Sequence, residues 1–270
     1  MYTFANIEAR LEPIYREEAK PLTQWILEEL FGVSALEGSR WQLDEATNER
    51  LETVIGRLLQ HEPIQYIFGH TQWHGLDFFL TPATLIPRPE TGELVDWILQ
   101  NHNQTPIKVL DIGTGSGCIA IALKHKRPTW TVLGVDISQK AIEVATQNAQ
   151  HNNVDVKFAC TDVFSDEIMQ LGQFDVVVSN PPYICNREKA TMSANVLQYE
   201  PAQALFVPDE TPLLFYSHIA QMRLGKHLYF ETNERYATDV AEMLTKNNYT
   251  DVQIQKDIYD KERMVCGTTA

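Results

Sequence analysis

From Ile107 onward, short apolar runs alternate with helical stretches, and this alternation constrains the fold more than any other feature of the chain. Residues 107–112 read as an apolar strand, followed by a glycine turn and an apolar helix over 116–126. A second strand is expected over 131–135, a helix over 139–151, a third strand over 154–158 and a fourth over 174–179. A fifth strand over 228–231 precedes a helix over 235–245, and terminal strands over 252–258 and 263–267 can close the sheet as an antiparallel pair. Repeating strand–helix units predict an α/β fold, a mostly parallel sheet with helices on both faces. Ligands in such sheets sit beyond the carboxyl ends of the strands, where the strand order reverses.

The first 65 residues follow a different period. Phe4, Ile7, Leu11, Ile14 and Tyr15 form one helical stripe, with Pro21 ending or restarting the helix. Trp25, Ile26, Leu30 and Phe31 form a second, stopped by Gly32. A third runs from a proposed N-cap at Asp44 through Leu51, Val54, Ile55, Leu58 and Leu59 to Pro63. The expected organisation is a helical bundle over 1–65 that selects a macromolecular partner, a β-hairpin connector over 66–86 and the α/β domain over 87–270. The connector is read from Tyr66-Ile67-Phe68-Gly69, Thr71-Gln72-Trp73-His74-Gly75 and the apolar run up to Leu80.

Charge and cysteine usage exclude several classes. With 22 basic and 36 acidic residues the formal charge is −14, the opposite of what a grip on a phosphate backbone requires, so direct nucleic-acid binding is not expected. Cys118, Cys160, Cys185 and Cys266 form no C-x-x-C pair, which points to reduced thiols, a cytoplasmic setting and no zinc site. His70 and His74 have a helical ligand spacing but fall in the hairpin, so no metal role is assigned to them. No apolar run is long enough to span a bilayer, and the N-terminus lacks the pattern of a secretory signal.

The first strand ends in Asp111-Ile112-Gly113-Thr114-Gly115-Ser116-Gly117. Alternate glycines let the backbone turn sharply and approach a ligand with no Cβ in the way. The second strand ends in Val135-Asp136, and a carboxylate there can accept from both hydroxyls of a ribose. The run Gly115-Ser116-Gly117-Cys118-Ile119-Ala120 also fits the dinucleotide fingerprint, which keeps a nicotinamide-dependent oxidoreductase as an alternative. The carboxylate of Asp111 favours a cationic ligand over a pyrophosphate, and so favours S-adenosylmethionine.

The fourth strand ends in Asn180-Pro181-Pro182-Tyr183. Two prolines remove two backbone donors and stiffen the turn, leaving its carbonyls uncommitted. Asn180 offers a side-chain oxygen, Pro181 a carbonyl and Tyr183 an aromatic face, a set that suits a planar NH₂ group. Such a nitrogen is a poor nucleophile, and two fixed acceptors on its hydrogens would draw electron density towards it and hold its lone pair towards a methyl donor.

These motifs, together with Tyr66-Ile67-Phe68-Gly69, Leu85-Ile86-Pro87-Arg88-Pro89-Glu90-Thr91, Tyr199-Glu200-Pro201, Ala204-Leu205 and an Arg263…Gly267 ending, span almost the whole chain. The sequence resembles the HemK family of protein-(glutamine-N5) methyltransferases, which modify the Gly-Gly-Gln glutamine of class I peptide chain release factors. The resemblance implies a Rossmann-like class I methyltransferase sheet with a small N-terminal helical domain, S-adenosylmethionine as cofactor and a monomer that docks a release factor. It implies that Gly113, Thr114, Gly115, Ser116 and Gly117 line the cofactor's methionine and ribose, that Asp136 holds the ribose hydroxyls, and that Asp162 and Val163 meet the adenine. Arg88, Pro89, Glu90 and Thr91 would form a loop near the cofactor. Asn180 and the Pro181 carbonyl would be catalytic, binding the glutamine amide with Pro182 and Tyr183, and Asn180 would also border the cofactor. A ribosomal-protein glutamine or a nucleic-acid amino group stays open as the acceptor.

Three stretches depart from the family pattern. Gly92 follows Thr91 where an acidic residue is usual, and Thr232-Asn233-Glu234-Arg235-Tyr236 follows Glu231 in place of a segment with glycine and glutamine. Residues 206–212 replace a glycine-rich turn.

Overall fold

The computed structural model describes residues 1–44, 48–103 and 105–269. Its contacts divide the chain into two units. The first is Met1–Gly69 with Ser193–Tyr199, and the second is His70–Met192 with the chain from Glu200 onward.

In the first unit, helices α1 (Phe4–Tyr15), α2 (Ala19–Phe31) and α3 (Glu49–Leu59) bury Ile7, Leu11, Ile26, Leu27, Leu51 and Ile55 in one core. Three boundaries differ from the sequence reading. The break between α1 and α2 is a 3₁₀ turn at Arg16–Glu18, and Pro21 lies in the first turn of α2, where a missing N–H costs nothing. The N-cap of α3 is Asn48, whose side chain accepts from the Leu51 N–H at 3.0 Å, and not Asp44. Tyr66-Ile67-Phe68 belong to a short helix, α4 (Ile64–Phe68), ended by Gly69 in the left-handed region, so the hairpin begins only at His70.

The second unit opens with that hairpin, β1 (His70–Trp73) and β2 (Leu76–Phe79), and continues into α5 (Pro89–Asn101). The Arg-Pro-Glu-Thr run is therefore not a loop. Arg88 is an N-cap, Pro89 is the first helical residue, and Glu90 and Thr91 complete the turn. Gly92 has a packing reason, because a Cβ there would meet the His74 ring at 3.2 Å and Trp73 at 3.7 Å.

The rest of the unit runs β3 (Lys108–Ile112), α6 (Cys118–Lys126), β4 (Thr131–Asp136), α7 (Gln139–His151), β5 (Lys157–Cys160) and β6 (Phe174–Ser179). The chain then passes through α8 (Ala194–Tyr199), which groups with the first unit, where the Tyr199 hydroxyl donates to the Gln60 carbonyl at 2.9 Å. It returns to form α9 (Leu214–Met222), β7 (Gly225–Glu231), α10 (Ala237–Lys246), β8 (Tyr249–Lys256) and β9 (Glu262–Thr269). The third expected strand thus starts three residues later and ends two residues later than read, and the helices before and after it begin or end within two residues of expectation.

The sheet order is β8-β9-β7-β6-β3-β4-β5. Strands β3 to β7 pair parallel, and β9 and β8 add antiparallel at one edge. Alternate residues face opposite layers: Val109, Val176 and Val178 enter one core, and Leu110, Ile112 and Val177 the other. The strand order reverses at β3, between β4 and β6. Ile112 is in register with both Val135 and Ser179, and Ser179 with Phe230, so the ends of β3, β4, β6 and β7 come level.

Candidate functional site

Beyond those level ends lies a cavity of about 270 Å³, slightly below the range of roughly 300–1,000 Å³ usual for small-molecule sites. Its floor is the glycine turn. The N–H groups of Gly113 and Thr114 both donate to the Val135 carbonyl at 2.9 Å, which ties the turn to β4. Gly113, Gly115 and Gly117 all have positive φ. Nothing lies within 4 Å of a Cβ built on Gly113, and only a loop carbonyl at 4.0 Å approaches one on Gly115, so both glycines leave open space for a ligand. Thr114 and Ser116 line the cavity as expected.

Gly117 does not line it. A Cβ there would meet Ile121, Ala145 and Phe158 at 3.0–3.1 Å, so its lack of a side chain serves the packing of α6 on α7 and β5. Asp111 also lies outside the lining. It is fully buried, and its Oδ2 accepts from the Thr114 hydroxyl at 2.6 Å. Burial pushes this carboxyl up to about 7, with the Thr114 hydrogen bond pulling the other way. The carboxylate that faces the cavity from the strand ends is Asp136, which accepts from the N–H groups of Gly115 and Ser138 at 2.9 Å each. Burial raises its pKa also, against those backbone donors.

Along the next wall stand Asp162 and Val163. Asp162 accepts from the Phe164 N–H at 2.9 Å and so shapes the turn it begins. Phe164 itself lines the cavity, 43% exposed, with its ring 4.5 Å from that of His218 and 5.3 Å from that of Phe215. Sequence reading stopped one residue short of it; an aromatic two positions after Asp162 was the available signal.

The opposite wall carries the proline corner. Asn180, Pro181 and Pro182 line the cavity, and the Ser179 hydroxyl fixes the strand beneath them by donating to the Ile112 carbonyl at 2.7 Å. The Asn180 side-chain amide donates to the Thr91 hydroxyl oxygen at 3.3 Å. Among the described residues no backbone donor reaches the Pro181 carbonyl. Tyr183 stands behind this wall, outside the lining, and its hydroxyl donates to Glu231 at 3.3 Å. Burial drives the Tyr183 pKa far above its ordinary value.

From α5, Arg88 and Thr91 reach the cavity, whereas Pro89 and Glu90 do not. The Arg88 guanidinium donates at 2.6 Å to Glu200, whose side chain is 1% exposed and also faces the Ile86 N–H at 3.4 Å. Two buried groups behind the site were not found from sequence. Asn148 on α7 accepts from Phe79 N–H at 2.7 Å and donates to the Phe79 and Ser116 carbonyls at 3.0 and 2.9 Å, joining hairpin to glycine turn. Glu231, at the end of β7, accepts from Thr91 as well as Tyr183, and burial raises its pKa against those two hydrogen bonds. Neither carries a local signal, since each acts through residues distant in sequence.

The lining fits a nucleoside: open glycines, the Asp136 carboxylate at a strand end where it can accept from ribose hydroxyls, and an aromatic rim at Phe164. The comparisons agree. Residues 93–208 match the family model "Methyltransferase small domain" and residues 3–69 match "PrmC N-terminal domain". A release factor glutamine methyltransferase of Bacteroides thetaiotaomicron is 44% identical over 97% of this chain and 97% of its own. The chain belongs to the release factor glutamine methyltransferase family. A Streptococcus pneumoniae member is 38% identical, covering 82% of this chain and 80% of its own. Among solved structures, a methyltransferase from Pyrococcus furiosus gives a TM-score of 0.52 at 18% identity over 81% of this chain and 99% of that one. The hMettl16 catalytic domain, solved with a MAT2A 3′UTR hairpin, gives 0.57 at 14% over 86% of each chain. These two likenesses concern the fold alone, a class I methyltransferase sheet. Family membership makes this chain an S-adenosylmethionine-dependent methyltransferase and favours methyl transfer over the nicotinamide alternative.

Proposed function

We propose that the protein methylates the side-chain amide nitrogen (N5) of the glutamine in the Gly-Gly-Gln motif of class I peptide chain release factors. The observation that carries this reading is the oxygen-rich corner of the cavity, where Asn180 and Pro181 stand at its wall and neither Pro181 nor Pro182 has an N–H. A primary amide brings two hydrogens, and a corner of this kind meets them with the Asn180 Oδ1 and the Pro181 carbonyl. Bound S-adenosylmethionine supplies the electrophilic methyl group on its sulfonium. The chain's own part is to hold the cofactor on the open glycines and Asp136, to place its adenine against Asp162, Val163 and Phe164, and to fix the amide plane. Positioning of this sort supplies on the order of 7–11 kcal/mol of a barrier.

In the same reading, Tyr183 stiffens the corner from behind. Arg88 lines the cavity while its guanidinium holds Glu200, and Thr91 supports Asn180. The N-terminal helical unit, expected over residues 1–65 and continued to Gly69 by the short helix α4, recognises the protein partner, and the chain from the hairpin at His70 onward carries the methyltransferase site. The enzyme acts as a cytoplasmic monomer. Among the described residues no helix is long and apolar enough to cross a membrane. The test is incubation with labelled cofactor and a panel of release factor, ribosomal proteins and an adenine-containing oligonucleotide. The expected result is one added methyl on the Gly-Gly-Gln glutamine; label confined to a ribosomal protein or the oligonucleotide would overturn the reading.

A further inference from the structure

Behind the proline corner, three side chains from distant parts of the chain form a line. Thr91 on α5 is 2% exposed, Asn180 follows β6, and Glu231 ends β7 and is also 2% exposed. The Thr91 hydroxyl donates to Glu231 Oε2 at 2.6 Å, and Asn180 Nδ2 donates to Thr91 Oγ1 at 3.3 Å. The other Glu231 oxygen accepts from Tyr183 at 3.3 Å. Glu231 is itself held fast, because its backbone pairs with Met264 and its carbonyl accepts from the Tyr216 hydroxyl at 3.1 Å.

We propose that Glu231 and Thr91 are positioning residues that fix which edge of the Asn180 carboxamide faces the cavity, and so make the site select an NH₂ group over a carboxylate. A hydroxyl has one hydrogen, and Glu231 accepts on both of its oxygens, from Thr91 and from Tyr183, so it offers Thr91 no hydrogen in return. Thr91 spends its hydrogen on Glu231, so its oxygen can only accept from Asn180. The NH₂ edge of Asn180 must therefore turn to Thr91, and the Oδ1 edge turns away from it, to the cavity that Asn180 lines. Turned over, Asn180 would set its oxygen against the lone pairs of Thr91 and point N–H groups at the substrate.

With the edge fixed, the corner presents only oxygens, from Asn180 and Pro181. A glutamine amide satisfies both. A glutamate at the target position would bring lone pairs against lone pairs, a mismatch that sites built to bond an NH group reject strongly. Neither Glu231 nor Thr91 has to touch the reacting nitrogen. They act through Asn180, and the proposal rests on the amide-methylation reading above.

The experiment compares single-turnover rates and KM on a release factor for the wild type, Thr91→Ser, Thr91→Val, Glu231→Gln and Asn180→Asp, and for Glu231→Gln combined with Asn180→Asp. In Glu231→Gln the new amide can donate to Thr91, freeing the Thr91 hydrogen to turn Asn180 over. The rate is expected to fall at least tenfold with a smaller change in KM for the release factor. Thr91→Val, which removes the acceptor, falls comparably, while Thr91→Ser stays within about threefold of wild type. The combined variant carries the decisive sign. A carboxylate at position 180 has an acceptor on both edges, so no orientation remains to be set, and a freed Thr91 hydrogen can bond it. Glu231→Gln should therefore leave the Asn180→Asp rate unchanged or raise it.

A merely structural role for Glu231 would lower both backgrounds alike, and that result overturns the proposal. So does a wild-type rate in Glu231→Gln, or equal rates in Thr91→Ser and Thr91→Val. If Asn180→Asp has no measurable turnover, these last two comparisons still decide. A wild type that leaves the release-factor glutamine unmethylated takes down the functional reading and this proposal together, whereas an active wild type with indifferent variants sinks the proposal alone.

Discussion

Asp111 offers a test in which the sign and size both follow from where the residue sits. Its carboxyl is fully buried at the end of β3, bonded through Oδ2 to Thr114 at 2.6 Å, and its Oδ1 has no hydrogen-bond partner among the described residues. Burial raises it from an ordinary 3.8 to about 7. The folded state therefore holds a proton that the unfolded chain releases. The stability this contributes is complete below pH 3.8, declines as pH rises towards 7, and is lost above it. The whole span corresponds to about 4 kcal/mol, of which about 2–3 kcal/mol falls between pH 5 and pH 8. Asp111→Asn keeps the shape and an acceptor for Thr114 but cannot ionise. Urea unfolding of both proteins at pH 5 and pH 8 should show the variant gaining about 2–3 kcal/mol on the wild type over that interval. Glu231, whose pKa is raised in the same direction, is common to both proteins and cancels, whereas the charge of Asp136 is one of the causes of the Asp111 shift and belongs to the measured effect. A difference that does not change with pH would show that Asp111 is ionised in the fold, and would return to it the negative charge here assigned to Asp136.

Arg88→Met should destabilise the second unit by about 2–4 kcal/mol in the same assay, because Glu200 would stay buried with only the Ile86 N–H to face it, and adding Glu200→Gln should restore most of the loss. Gly134→Ala would place a Cβ 2.7 Å from both the Phe158 ring and Thr114 Oγ1; a loss of about 1–3 kcal/mol is expected on thermal unfolding, together with weaker cofactor binding. Asp136→Ala removes the acceptor for the Gly115 and Ser138 N–H groups as well as the ribose partner, and calorimetry should show cofactor affinity down at least about tenfold, roughly 1.4 kcal/mol.

The parts of the fold that could be read in advance are those where one local rule decides. Strands β3 and β6 are buried on both faces, so they stand out as unbroken apolar runs, and their ends carry the two motifs. Where two local rules compete, tertiary packing decides between them. Val154 and Val156 are apolar and β-branched, yet they pack on the core from an irregular turn, and the strand starts at Lys157. The family resemblance implied a loop over residues 88–91, although proline at a first helical position followed by Leu94, Val95, Trp97 and Ile98 is a helix signature. Asp111, whose charge in the sequence favours a cationic cofactor, is buried and raised to about 7, and the carboxylate that faces the cavity is Asp136. Asn148, Glu200 and Glu231 could not be assigned at all, because their partners lie far away along the chain and only the sheet register brings them together.

The account turns on Asn180, and one measurement addresses it directly: cofactor affinity and single-turnover methylation of a release factor, compared between the wild type and Asn180→Ala. The account predicts a cofactor Kd close to wild type with methyl transfer to the Gly-Gly-Gln glutamine slowed at least a hundredfold, about 3 kcal/mol. Equal rates in the two proteins would contradict it.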